Sequence, residues 1–126
     1  MTNQPSVRNK GFLGLFAHPY PVCAMLHLGG ETDEGILQQA KQEIRILYEN
    51  GVDAVIVENY FGKPHHCKMV LEYLEQSHSD KVYGVNILDK PDITFQMAKD
   101  HKAKFIQIDS VCAVLKTYRK RNGSVT

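Results

Sequence analysis

The 126-residue chain has no run of about 18 apolar residues, which excludes a membrane-spanning helix of the usual kind. No secretory leader is expected either: the opening "MTNQPSVRNKGFLGLFAHPYP" has a short apolar centre broken by Gly11 and Gly14 and lacks a small-residue cleavage site. Cysteine is scarce. Cys23, Cys67 and Cys112 are odd in number and far apart, so they form no disulfide framework and are expected to be buried thiols of a reduced, cytoplasmic protein. Nor is there an excess of one charge. A formal net charge of +1 speaks against an extended nucleic-acid footprint, because neutralising many phosphates takes a surplus of cations. Two phosphate-binding signatures are absent as well: no Gly-x-Gly-x-x-Gly follows the first apolar run, and no Gly-x-x-x-x-Gly-Lys-Ser/Thr occurs.

What is present is regular punctuation over a chain that is 43% hydrophobic, read as one α/β domain over 1–126. Residues 1–20 are expected to form an N-terminal extension, and 116–126 a basic, flexible tail. "PVCAMLHL" (21–28) is a strand closed by Gly29 and Gly30, and "VDAVIVENY" (52–60) is a β-branched run suited to a strand covered on both faces. "KVYGVNIL" (81–88) and "AKFIQIDSV" (103–111) are a third and a fourth. Between them lie helical patterns. Ile36, Ala40, Ile44 and Leu47 share one face, with Thr32 or Asp33 as cap and Gly51 past the end. Pro64 opens a helix that buries Cys67, Val70, Leu71 and Leu74, and Pro91 opens one through about Lys102 with Ile93 and Met97 inward, joined by Phe95 and Ala98. A fourth helix begins near Ala113. Strands alternating with helices imply a four-stranded parallel sheet with right-handed crossovers. That leaves half of a (β/α)8 barrel, or alternatively a flavodoxin-like open sheet with strand order 2-1-3-4.

Polar residues interrupt each strand near its carboxyl end: His27, Glu58, Asn86 and Asp109. Each shares parity with a residue two places earlier (Met25, Ile56, Gly84, Gln107), as one common face requires. Parallel α/β proteins bind ligands beyond these strand ends. His27 can act as a general acid, with Glu58 or Asp109 as the base, while Asn59, Asn86 and Gln107 are suited to holding a sugar or amide. Any of these polar residues can instead cap a helix or close a loop. "HHC" at 65–67 resembles a metal site at first sight. Neighbouring His65 and His66 point about 100° apart on a helix, and no second pair with ligand spacing exists, so no metal is assigned. Cys67 belongs to the core, and His65 and His66 are expected in the first helical turn, partly exposed, where they could face a phosphate.

Taken together, "LFAHPYPVCAMLHLGG", "ENGVDAVIVENYFGKP", "VYGVNIL" and "AKFIQIDSVC" resemble the amino-terminal half of BtpA-like proteins over roughly residues 12–112. The family takes its name from a photosystem I biogenesis factor and is predicted to form (β/α)8 barrels akin to phosphosugar-handling enzymes. The resemblance implies that His27, Glu58, Asn59, Asn86 and Asp109 form the polar rim of a barrel. It implies a small-molecule ligand, phosphorylated or sugar-containing; no cofactor is expected. Where the family runs on into a Leu-Pro-Gly type loop after His27-Leu28, this chain has Gly29-Gly30-Glu31, which shortens the first rim loop. A full barrel takes about 200 residues or more, so strands 1 and 4 are expected to present unpaired edges, and self-association through them is an alternative, non-enzymatic role.

Overall fold

A computed structural model describes residues 11–109, and the expected fourth helix, the 116–126 tail, Cys112 and the first half of the 1–20 extension lie outside that range. Within it, the chain runs through a 3-10 turn (Phe12–Leu15), β1 (Cys23–Leu26), α1 (Asp33–Glu49), β2 (Ala54–Glu58), α2 (Pro64–Ser77), β3 (Val82–Asn86), α3 (Pro91–Asp100) and β4 (Phe105–Ile106). All three strand pairings are parallel, and the order is β1-β2-β3-β4. Sequential order without reversal is that of half a (β/α)8 barrel. The flavodoxin-like alternative, which needs β1 between β2 and β3, is thereby excluded.

The local reasons are legible in the chain. Thr32 Oγ1 accepts from Gly35 N at 3.0 Å and starts α1, and Gly51, at φ +93°, lies just beyond its end in a conformation that costs glycine little. Pro64 sits at the first position of α2, where its missing N–H is not needed. Alternation along the strands then separates two faces. Leu26, Val55, Val57, Tyr83, Val85 and Ile87 turn to the helices and close a core with Ile36, Ala40 and Ile44 of α1 and Cys67, Val70, Leu71 and Leu74 of α2. Hydroxyls tie the layers together: Tyr48 donates to Val82 O at 2.6 Å, and Tyr83 donates to His101 O at 2.7 Å.

The opposite, inner face carries Met25, Ile56, Gly84 and Phe105. The Phe105 ring lies over Gly84, and Phe12 of the 3-10 turn packs edge-on against it at 5.0 Å. The 3-10 turn therefore covers part of the inner face beside Phe105.

α3 differs from expectation. It stops at Asp100, and its fully buried residue is Thr94 rather than Ile93, which is 39% exposed, or Phe95, which is 59% exposed. Hydrogen bonding sets this rotation: Thr94 Oγ1 accepts from Ile87 N at 2.9 Å and donates to Lys90 O at 2.9 Å, fixing the first turn against the end of β3. Met97 and Ala98 pack partly buried on the core, as expected.

Cys67 is fully buried, as its helical position implied, and burial pushes its thiol up to about 12. Burial likewise pushes the Tyr48 hydroxyl up to about 12. Both groups thus favour the folded state below their ordinary values near 9 and 10, and that contribution is lost as pH rises towards 12. In a Cys23→Ser/Cys112→Ser background, Cys67 is expected to resist a thiol reagent until the protein unfolds. Labelling at the rate of a free thiol under native conditions would contradict the buried placement.

Candidate functional site

The carboxyl end of the sheet gathers a row of polar side chains. β2 and β3 align Glu58 with Asn86, and continuing the two neighbouring registers by one residue brings His27 beside Glu58 and Gln107 beside Asn86. The side chains meet accordingly. His27 Nε2 lies 3.2 Å from Glu58 Oε1, while Asn86 Nδ2 donates to Glu58 Oε2 at 3.1 Å and, in a longer contact of 3.4 Å, to Gln107 Oε1. A continuous chain of four polar groups thus crosses all four strands. Glu58 and Asn86 in its middle are buried, His27 is half-exposed and Gln107 exposed.

Asn86 holds the least comfortable position. The residue is 1% exposed, and its Oδ1 is buried with no hydrogen-bond partner among the described residues. Exchanging the amide's O and N would only point the oxygen at the Glu58 carboxylate, so the donor direction is settled by the neighbours. An unmatched buried acceptor costs about 1–3 kcal/mol. Such a cost in the middle of a polar row marks a place where stability gives way to another requirement.

Two residues expected on this row stand elsewhere. Asp109 lies two places beyond Gln107 on the chain, and its Oδ1 accepts from Asp89 N at 3.4 Å. Asn59 Oδ1 accepts from Leu88 N at 2.8 Å. From the strands on either side, both hold the loop after β3, where Asp89 takes a left-handed φ of 60°. The period-two comparison placed Asp109 level with Asn86 because it aligned the strands by their polar residues. The register aligns them by hydrogen bonds and puts Gln107 there.

Tyr60 and Phe61 are site residues the sequence reading passed over. They are 60% and 69% exposed and pack edge-on to each other at 4.8 Å. Tyr60 lies 4.9 Å from the His27 ring and Phe61 6.0 Å from it. Phe61 N donates to His27 O at 3.0 Å, which pins the loop after β2 against the end of β1. Leu28, buried yet at φ 60°, lies beneath, and a Cβ on Gly62 would come within 3.1 Å of its carbonyl. Only a glycine lets the two loops approach so closely. The available signal was two adjacent aromatics placed after a strand and before a glycine, outside any apolar period.

His65 and His66 do converge, contrary to the expectation from helical angles. His66 Nε2 is 2.8 Å from Asp33 Oδ1 and His65 Nε2 3.4 Å from Asp33 Oδ2, so three potential ligands meet between the starts of α1 and α2. His66 is buried rather than partly exposed. Its other nitrogen decides its role: Nδ1 accepts from Lys63 N at 2.9 Å, so the proton of the neutral ring sits on Nε2 and is donated to Asp33. A metal-binding imidazole has the reverse arrangement, with a bare nitrogen on the metal and the other ring N–H donated away. The trio is therefore read as a clamp between the two helices.

Hydrogen bonds from His66 and then His65 hold the Asp33 carboxyl below its usual range, so the stability it contributes is present above that range and is lost as pH falls through the lowered value. Zn2+ is expected to leave the melting temperature unchanged. A Zn2+-dependent rise that disappears in His66→Ala would overturn the clamp reading.

Fold and site together define a class: a parallel half-barrel of (β/α) units with a polar row at the carboxyl ends of its strands. The BtpA family model matches residues 15–119, and the chain belongs to that family. No curated protein and no solved structure matches it.

Proposed function

We propose that the strand-end row binds a phosphorylated or sugar-containing small molecule, as an enzyme or an enzyme remnant. The carrying observation is the unbroken contact from His27 through Glu58 and Asn86 to Gln107, with its buried centre. In this reading His27 is the proton carrier. Its Nε2 faces the Glu58 carboxylate, so Nδ1 is the atom left to take a proton from a ligand or return one. Glu58, held by Asn86, positions that ring. This reverses the expected division of labour, in which the carboxylate was the base, and it leaves Asp109 and Asn59 to shape the loop after β3. The test is a thermal-shift panel of nucleotides and sugar phosphates on the chain and on Glu58→Gln. Selective stabilisation that the variant loses supports the site, and flat responses from both would sink it.

A second reading has its own observation. β1 and β4 each have an unpaired edge among the described residues, and Val22 and Phe95 beside them are 58% and 59% exposed. Open parallel edges favour pairing with another chain. Self-association through them predicts a dimer or larger species by light scattering, whereas a monomer at high concentration would count against it.

A further inference from the structure

Resting on the reading of the row as a small-molecule site, we infer that it takes the neutral, hydroxyl-bearing edge of a carbohydrate, seated against Tyr60 and Phe61, and that it refuses an anionic group at the row itself. The floor is rich in acceptors. Glu58 is a buried carboxylate, Asn86 Oδ1 has no donor among the described residues, and Gln107 Oε1 receives only the long contact from Asn86. His27 is the single group in the row able to carry positive charge, and it already faces Glu58. Hydroxyl groups supply the donors this floor lacks, whereas phosphate oxygens are acceptors and carry the same sign as Glu58.

At the His27 end of the row stand two aromatic rings more than half exposed, beside the His27 ring and fixed to the end of β1 by the Phe61 N–H. Such rings are well matched to the C–H face of a sugar, while its hydroxyl rim turns to the acceptors. A lone exposed aromatic needs no explanation, but a packed pair at one end of a polar row that holds an unmatched buried oxygen does.

The experiment titrates the full chain with ribose, ribitol and inorganic phosphate, following the His27 ring signals by NMR, and repeats this on Tyr60→Ala/Phe61→Ala. Both rings are largely in solvent, so their removal spares the core. Ribose or ribitol is expected to shift the His27 signals, with affinity at least about tenfold weaker in the double variant, and phosphate alone is expected to leave them in place. Binding of phosphate at His27, or sugar binding indifferent to the two rings, would overturn this inference and leave the small-molecule site standing. His27 signals unmoved by every probe would overturn both.

Discussion

Gly84→Val is expected to lower the melting temperature by roughly 8 °C or more, corresponding to a loss of about 2–3 kcal/mol by overpacking in a chain of this size. A Cβ at this position would lie 2.6 Å from Phe105 Cζ and 2.7 Å from its Cδ2. Moving the ring means parting it from Phe12, which packs against it at 5.0 Å, while β4 holds its backbone. Adding Phe105→Ala in the same chain should recover part of the loss, since the clash is with that ring. Thermal unfolding of the three variants checks this. A Gly84→Val protein as stable as the parent, or one that Phe105→Ala only worsens, would mean that the Phe105 ring does not rest on Gly84 in this way.

Asn86→Leu is expected to separate stability from binding. The substitution removes the unmatched Oδ1, a gain, and takes away the donor to Glu58 Oε2, a loss. Each term is worth about 1–3 kcal/mol with opposite sign, so the net change in stability should stay within about 2 kcal/mol. Binding of ribose or ribitol should fall by at least about tenfold, because the acceptor and the brace on Glu58 go together. Denaturant unfolding and calorimetric titration of the same preparation provide both numbers. A variant that unfolds readily yet still binds sugar would make Asn86 a structural residue.

The strands, their order of appearance and the first two helices could be read from the chain because each rests on a local signal. β-branched runs bounded by glycine mark β2, and the period of Ile36, Ala40 and Ile44 marks α1. Local signals failed where a distant partner decides. α3 turned Thr94 inward because the end of β3 offers it an N–H, which no helical period contains. The site shows the same division. His27, Glu58 and Asn86 were identified as polar breaks in apolar strands, but the fourth member required the register, and Gln107 rather than Asp109 completes the row. His65 and His66 met because the Nε2 atoms of both turn to one carboxylate, Asp33, more than 30 residues away in the chain.

The sequential strand order has a consequence for how the protein is made. Every β-pairing joins strands whose partner residues lie within about 30 positions of one another, so no ladder has to wait for a distant part of the chain. On a ribosome, β1 and β2 can pair and be covered by α1 before β4 has been synthesised, and each later unit finds a finished edge to add to. The same growth rule leaves an open edge after every step, so a stalled chain at any length is a template for the next strand it meets.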